Sequence, residues 1–332
     1  MKKKALVTGV TGMDGSHISQ ILLEKGYNVY GMWRRGATDK FQRLRYLGIL
    51  DNDNFHLMSG DLTDSASINR IMEEVRPDEV YHLGAMSFVK ESFISPLATM
   101  DINAMGTLRV LEAVRTYSIS SKVYVAATSE MLGYDQWEKG VPMNENTPFH
   151  PRSPYGSSKI AAFYSAQNYR EAYNMFICNG ILFNHSSELR GEEFVFAKIC
   201  KGATSIYLKK QEKLELGNID TYRDVGYSPD YCKAMFLMLQ NDIPDDYVVA
   251  TGKAHSIRDL CEVAFSYYGL NYKDHVVKNI AFMRPSDVGY LLGDSSKARK
   301  VLKWKPKVEF KENVHNCCSF WLDKLSKGAT GL

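Results

Sequence analysis

The sequence has few cysteines for its length. Their spacing argues against a cysteine-bound metal site, and their number argues against a disulfide-rich protein. Six cysteines occur among 332 residues, and none has the spacing of a metal-binding motif. A long chain with so few cysteines does not need a disulfide framework, so we expect reduced and mostly buried thiols. We predict no metal site.

The sequence also lacks an excess of charge and any long hydrophobic run. Its 41 basic and 38 acidic side chains give a net charge of +3, which leaves no basic stripe for a nucleic acid. No stretch reaches membrane-spanning length, and the apolar run that follows the first lysines is broken at Thr8 and Gly9, as in a strand. We expect a cytoplasmic protein with a small-molecule partner, and neither a nucleic acid nor a membrane.

Strand and helix patterns alternate along the first half of the chain, and this alternation is typical of a parallel sheet with helices on both faces. The second half has shorter elements. We predict an α/β fold: a Rossmann-type doubly wound parallel sheet (residues 1–184) with a smaller C-terminal α/β substrate lobe (residues 185–332), some elements being exchanged between the two. Strands are predicted at 5–8, 29–32, 55–59, 79–83, 122–127 and 176–182, and helices at 16–25, 65–75, 98–117, 155–173, 192–206, 227–240, 256–268 and 311–327.

A glycine-rich turn joins the first strand to the first helix. Glycines at positions 9, 12 and 15 remove the β-carbons that would block a pyrophosphate, and the helix N-terminus would meet its phosphates with free amides. The turn lies between a strand and a helix near the start of the chain, and a second strand follows. This arrangement makes the glycines a strong signal for a dinucleotide site.

The second strand ends in Trp33-Arg34-Arg35, where an NAD enzyme normally has an acidic residue. Two guanidinium groups suit a ribose 2′-phosphate, so NADP is favoured over NAD; Asp39 keeps NAD open, and a solvated basic turn is the simpler alternative. After the third strand, Asp61 can reach an adenine amino group. Asp64 is suited to cap the helix that follows.

Tyr155 and Lys159 lie four residues apart on a helix predicted to begin at Pro154, so they share one face. We expect the ammonium to lower the pKa of the phenol and make it a base. Thr128 and Glu130 follow a predicted strand, and the carboxyl ends of parallel strands meet at one crevice. Since hydride transfer alone needs no carboxylate, Glu130 indicates an additional proton abstraction.

These residues resemble the extended short-chain dehydrogenase/reductase group, and within it the GDP-mannose 4,6-dehydratase family, nearly end to end. The resemblance implies NADP in the first domain, a GDP-sugar in the second, and a homo-oligomer, either a dimer or a tetramer. The motifs that carry it are Trp33-Arg34-Arg35, Gly60-Asp61-Leu62-Thr63-Asp64-Ser65, Thr128-Ser129-Glu130, Pro148-Phe149-His150-Pro151-Arg152-Ser153-Pro154-Tyr155-Gly156, Asn179-Gly180-Ile181-Leu182-Phe183-Asn184-His185 and Trp304-Lys305-Pro306.

The resemblance also implies a role for each site residue. Tyr155 would take the proton of the sugar 4-hydroxyl, Thr128 would hold that hydroxyl, Lys159 would tune the base, and Glu130 would abstract the C5 proton before water leaves from C6. The cofactor would be bound by Gly9, Thr11, Gly12, Met13, Asp14, Gly15, Arg34, Arg35, Asp61, Leu62, Leu83, Ala85, Tyr155, Lys159, His185 and Arg190. The substrate would be bound by Ser87, Asn184, Val195, Lys198, Arg223 and Arg284.

Several segments depart from the family pattern around the expected sugar and nucleotide, among them Met86, Leu132, Glu188 and Tyr227. A GDP-heptose of manno configuration is therefore an alternative substrate to GDP-mannose. A second enzymatic reading is a GDP-sugar 4-dehydrogenase, 4-epimerase or 4-keto reductase without elimination, and a third is a cofactor sensor without activity. Residues 36–45 have no obvious core face and would cover the cofactor or contact another subunit.

Overall fold

The computed structural model describes residues 2–133, 140–283, 286 and 288–328. Its main sheet has seven parallel strands, and the chain runs from the centre to one edge before it returns to fill the other side. In spatial order the strands are β10 (Tyr247–Val249), β6 (Ile177–Leu182), β5 (Lys122–Thr128), β4 (Glu79–His82), β1 (Lys4–Thr8), β2 (Asn28–Trp33) and β3 (Phe55–Ser59). The crevice of such a sheet opens where the strand order reverses, between β1 and β4.

Helices cover both faces of this sheet, which explains why its central strands are apolar on both sides. The helices are α1 (Met13–Glu24), α2 (Gln42–Tyr46), α3 (Ser65–Val75), α4 (Val89–Ile94), α5 (Pro96–Met100), α6 (Gly106–Tyr117), α7 (Pro154–Tyr173), α8 (Val195–Tyr207), α9 (Ser228–Gln240), α10 (Ile257–Ser266), α11 (Ser296–Val301) and α12 (Phe310–Ser326). Of these, α3, α6 and α7 pack on one face of the sheet, and α1 and α9 pack on the other.

The second half of the chain builds a separate core from α8, α10 and α12, around Ile199, Phe265 and Trp321. Beside it lie a four-stranded sheet and a strand pair. β10 and α9 also come from this half but join the main sheet. The division after residue 184 stays a prediction. The remaining strands are β7 (Asn184–Ser186), β8 (Leu214–Leu216), β9 (Tyr222–Tyr227), β11 (Ala254–Ser256), β12 (Val276–Lys278) and β13 (Tyr290–Leu291).

Two sequence predictions about local structure were wrong. The helix predicted over 98–117 is divided by a π turn at Asp101–Met105, which lies between α5 and α6. Residues 36–45 do have a core face, because α2 buries Leu44 completely in the same cluster as Ile49. Asp64 caps α3 as predicted, accepting hydrogen bonds from the amides of Ala66 and Ser67.

Within the described ranges, no helix is both long enough and apolar enough to span a bilayer. The same ranges contain no group of histidine, cysteine and acidic side chains arranged to hold a metal ion. All six cysteines are buried as free thiols, as predicted. Burial raises the pKa of the Cys178 thiol to about 12, so this side chain packs as a small apolar group.

Candidate active site

Thr128, Glu130, Tyr155 and Lys159 come together at the carboxyl edge of the sheet, and all four are buried. Thr128 ends β5, Glu130 lies in the 3₁₀ turn Ser129–Leu132, and the other two lie in the first turns of α7. The Thr128 hydroxyl accepts a hydrogen bond from the Glu130 amide at 3.3 Å, and its side chain is also hydrogen bonded to Tyr155. A phenol, a hydroxyl and a carboxylate therefore share one site.

Gly156 allows this close approach. A β-carbon at position 156 would lie 2.8 Å from the carbonyl oxygen of Glu130 and 3.0 Å from a side-chain carbon of Pro151. Ser153 caps the helix by accepting a hydrogen bond from the Gly156 amide at 3.0 Å. The start of α7 is thus fixed directly against the turn that carries Glu130.

Burial is the largest influence on the pKa of Tyr155, and the lowering of that pKa by Lys159 stays a prediction. Burial raises the pKa of Tyr155 to about 12, while the hydrogen bond to Thr128 and the charge of Arg190 oppose that rise. Lys159 instead donates a hydrogen bond to the carbonyl oxygen of Ala126 at 2.9 Å, and burial lowers its pKa to about 8. Desolvation outweighs the neighbouring cations here, which composition and spacing could not reveal.

The glycine turn packs closely enough to explain its composition. Gly9 has a φ of +70°, and a β-carbon there would lie 2.8 Å from Cα of Gly84, after β4. A β-carbon at Gly15 would lie 2.2 Å from the Gly9 carbonyl oxygen. Thr11 and Gly12 complete the turn, and Met13 begins α1. The turn and the end of β4 therefore form one tightly packed surface at the switch point of the sheet.

A buried polar network that sequence reasoning missed supports this surface. Thr8 Oγ1 accepts hydrogen bonds from the amides of Leu83 at 3.1 Å and Gly84 at 3.0 Å. Its own proton is therefore directed to His82 Nδ1, 2.8 Å away. His82 Nε2 then donates to Thr107 Oγ1 at 3.0 Å. Burial lowers the pKa of His82 to about 3, so the ring is neutral at pH 7.

Asn103, in the π turn, extends the network to the active site. Its side chain accepts from the Met86 amide at 2.8 Å and donates to the Met86 carbonyl oxygen at 3.1 Å. It also donates to Ser158 Oγ at 3.0 Å, and Ser158 donates to the carbonyl oxygen of Tyr155 at 2.7 Å. The only sequence signal for these residues was polarity inside otherwise apolar segments.

A second, partly buried polar group lies where β7, α1 and α9 meet. Asp14 is 2.8 Å from His185 Nε2 and accepts a hydrogen bond from Ser228 Oγ at 2.6 Å. Although burial opposes it, His185 and these hydrogen bonds lower the pKa of Asp14. His185 Nδ1 lies 2.8 Å from the Phe183 carbonyl oxygen, so both ring nitrogens have partners. His185 is therefore a fully hydrogen-bonded side chain in this structure.

Arg190 is a partly buried cation close to the same groups. Its guanidinium carbon lies 3.7 Å from the ring centroid of Phe194, and its charge lowers the pKa of both Asp14 and Tyr155. Arg43, which sequence reasoning did not assign, approaches from α2 and donates to the carbonyl oxygens of Leu189 at 2.8 Å and Thr11 at 3.3 Å. α2 therefore contacts the glycine turn of its own chain.

A cavity of about 350 Å³ lies beyond the ends of β2 and β3. Three residues that were predicted to bind the cofactor, Arg34, Arg35 and Asp61, line this cavity. Although burial opposes it, hydrogen bonds from Thr63 and the charges of Arg34 and Arg109 lower the pKa of Asp61. Leu62 packs beside it against Gly84. The full lining is Arg34, Arg35, Ser59, Gly60, Asp61, Asp64, Ser67 and Arg70.

The predicted substrate residues lie on several elements of the second half and on the loop after β4. Ser87 and Val195 are exposed, and Ala85 precedes Ser87 on the same loop. Asn184 Oδ1 is buried without a hydrogen-bond partner among the described residues, which is unusual for an amide oxygen. Arg223 is buried in β9 and donates to the Tyr222 carbonyl oxygen at 2.9 Å.

Two further substrate predictions have different outcomes. Lys198, on α8, lies against the ring of Phe282, with its nitrogen 3.4 Å from the ring centroid. Arg284 lies outside the described residues.

Comparison with known proteins agrees with this geometry. The family model described as GDP-mannose 4,6 dehydratase matches residues 6–317. The chain belongs to the GDP-mannose 4,6-dehydratase family. GDP-mannose 4,6 dehydratase 1 of Arabidopsis thaliana is 49% identical over 321 residues, which cover 94% of this chain and 88% of that protein. The human GDP-mannose 4,6 dehydratase is 44% identical over 333 residues, which cover 93% of this chain and 89% of that protein.

A solved structure shows the same fold at lower identity. The dTDP-glucose 4,6-dehydratase of Bacillus anthracis, in complex with NAD, has a TM-score of 0.84 at 20% identity, and 98% of each chain is covered. The seven-stranded parallel sheet and the lobe beside it are therefore a shared architecture.

Within the family, the departures from the common pattern have local explanations. Tyr227 and Glu188 contact each other, with the phenol donating to the carboxylate at 3.4 Å. Leu132 is completely buried in the protein core, and Met86 accepts a hydrogen bond on its sulfur from Thr99 at 3.0 Å. Two of these positions therefore contact each other, and the other two pack into the protein.

Proposed function

We propose that this protein is an NADP-dependent GDP-sugar 4,6-dehydratase, a lyase, with GDP-mannose as its substrate. The observation that carries the proposal is the buried Glu130 carboxylate beside Thr128 and Tyr155. Oxidation at C4 needs a base for one hydroxyl proton, whereas elimination across C5 and C6 needs a second base. This site holds both groups.

Each residue then has one task. Tyr155 removes the proton of the sugar 4-hydroxyl, and Thr128, already hydrogen bonded to Tyr155, holds that hydroxyl in place. The resulting 4-ketone makes the C5 proton acidic, and Glu130 abstracts this proton and passes it to the C6 hydroxyl, which leaves as water. Lys159 and Arg190 supply positive charge for the developing phenolate. NADP, when bound, would supply the hydride acceptor for C4 and the hydride donor for C6; Tyr155 would return its proton to C5, so the reaction would have no net redox change.

The cofactor is a nicotinamide dinucleotide, and we propose NADP because Arg34 and Arg35 line the cavity beyond β2. Two guanidinium groups there can bind a 2′-phosphate with paired charge-assisted hydrogen bonds. The pyrophosphate would lie on the glycine turn, with Asp61 at the adenine. The other proposed cofactor residues are Thr11, Met13, Asp14, Leu62, Leu83, Ala85, His185 and Arg190.

The nucleotide sugar would lie across the crevice from the cofactor. Oδ1 of Asn184 has no hydrogen-bond partner among the described residues, so it can accept a hydrogen bond from the bound nucleotide sugar. Lys198 and Arg223 supply positive charge for the diphosphate and ribose. Ser87, Val195 and Arg284 complete the proposed substrate set.

Incubation with GDP-mannose and, separately, with a GDP-manno-heptose tests the function. Product mass and absorbance at the reduced-nicotinamide band are followed together. A product lighter by one water, without net reduced cofactor, supports the dehydratase and identifies the sugar. A product lighter by two hydrogens, with stoichiometric NADPH, would instead indicate a 4-dehydrogenase.

We also infer a cytoplasmic homodimer that forms through α4, α5 and α7. Ile94 and Leu97 are 70% and 84% exposed on this face, beside the exposed Met105 and Tyr164. Apolar side chains grouped in this way are typical of a subunit contact. Light scattering should give the mass of a dimer for the wild type and of a monomer for Leu97→Glu. A wild-type monomer would contradict the inference.

A further inference from the structure

Two lysines from different parts of the chain, one on α4 and one on α8, lie near one aromatic ring. Lys90 lies at the start of α4, three residues after Ser87, and Lys198 lies on α8. The Lys198 nitrogen is 3.4 Å from the ring centroid of Phe282, and the Lys90 nitrogen is 6.0 Å from the same centroid. The two ammonium groups are therefore held near each other.

The segment that carries the ring is fixed through its backbone. Lys90 donates a hydrogen bond to the Ala281 carbonyl oxygen at 2.8 Å, and Asn279 caps this short 3₁₀ turn. A β-carbon at Gly217 would lie 2.7 Å from the Phe282 carbonyl oxygen, so the turn packs directly on the loop after β8. The ring itself remains 45% exposed. The ring is therefore accessible from solvent and lies near both lysines.

The pair has positive charge without a bound counterion. Among the residues that the structure describes, no carboxylate lies within ion-pair distance of Lys90 or Lys198. Burial lowers the pKa of Lys198, the charge of Lys90 lowers it further, and Glu215 opposes them. The Glu215 carboxylate, however, accepts a hydrogen bond from Asn279 Nδ2 at 2.8 Å. Two cations that repel each other at a ligand crevice are suited to an anion that bridges them.

We propose that Lys90 is a substrate-binding residue that, together with Lys198, binds the diphosphate of a nucleoside-diphosphate sugar. Lys90 uses one of its three donors for Ala281, which leaves the others for phosphate oxygens. The ligand class rests on the proposed function. The contribution of Lys90 is a separate question, because Lys90 is not one of the residues that the family resemblance assigned to the substrate.

Calorimetric titration of GDP, GDP-mannose and guanosine into the NADP-loaded protein tests this role. In Lys90→Ala, we expect the Kd for GDP to rise about tenfold, because a charge-assisted contact to phosphate is lost. The Kd for guanosine should not change, and Lys90→Arg should keep most of the GDP affinity. Lys213→Ala is a matched control, since Lys213 also donates to a backbone carbonyl oxygen, that of Asp274, at 2.7 Å.

Three results would overturn the proposal. If Lys90→Ala binds GDP as tightly as the wild type does, Lys90 does not contact the diphosphate. If it weakens guanosine as much as GDP, or if its thermal unfolding shows lost structure while Lys90→Arg also fails to bind, Lys90 only holds the Ala281 segment. If the wild type binds GDP-mannose and GDP no better than guanosine, the proposed function falls together with this inference.

Discussion

Protonation of His82 should destabilise the protein as the pH falls, because its hydrogen bonds require the neutral ring. Thr8 directs its proton at Nδ1, so a proton on that nitrogen would face another proton. The pKa of His82 is lowered from 6.5 to about 3 in the folded protein. The unfolded chain binds more protons than the folded one between these values. Stability is therefore complete above pH 6.5 and is lost as the pH falls toward 3.

The size of the effect follows from the two pKa values. One pKa unit corresponds to about 1.4 kcal/mol, so a change from pH 7 to pH 5 should cost about 2 kcal/mol through His82 alone. Carboxylates and other histidines titrate in the same range. The informative quantity is therefore the difference in pH dependence between the wild type and His82→Gln.

Urea unfolding followed by circular dichroism at pH 7 and pH 5 measures this difference. His82→Gln should be less stable at pH 7 but should lose about 2 kcal/mol less than the wild type on acidification. Thr107→Val is the matched control, since it removes a partner of the same network but retains the histidine. An equal pH dependence in the wild type and His82→Gln would refute the reasoning.

Three further predictions concern the site. Gly156→Ala should lower kcat and reduce the free energy of unfolding by about 1–3 kcal/mol, because its β-carbon meets the Glu130 carbonyl oxygen, whereas the exposed Ser157→Ala should change stability by no more than about 0.5 kcal/mol. Tyr155→Phe should lower kcat on the order of 10²–10⁴-fold while NADP binding, measured by fluorescence titration, is retained. Arg35→Ala should raise the Kd for NADP about tenfold and leave that for NAD unchanged; equal losses would contradict the 2′-phosphate assignment.

The main elements could be predicted from sequence because each has a strong local signal. α3 and β3 have the predicted bounds, since Asp64 caps the helix and an apolar pattern marks the strand. α7 begins at Pro154, as predicted, and ends at Tyr173. The convergence of Thr128 and Glu130 with Tyr155 followed from one rule, that parallel strands end at a common edge.

What could not be predicted depends on packing between distant segments. The π turn places Asn103 against Met86 and Ser158, and no local pattern distinguishes it from a continuous helix. The raised pKa of Tyr155 arises from burial, which spacing does not reveal. Lys90 lies outside the helices and strands predicted from the sequence, and only the fold brings it near Phe282.

The most direct test of the central claim is the reaction of Glu130→Gln with GDP-mannose and NADP, analysed by product mass and by NADPH absorbance. If Glu130 is the base for elimination, the variant will oxidise C4 and stop there, giving NADPH and a product lighter by two hydrogens. A product lighter by one water, formed at the wild-type rate without NADPH, would contradict the role of Glu130.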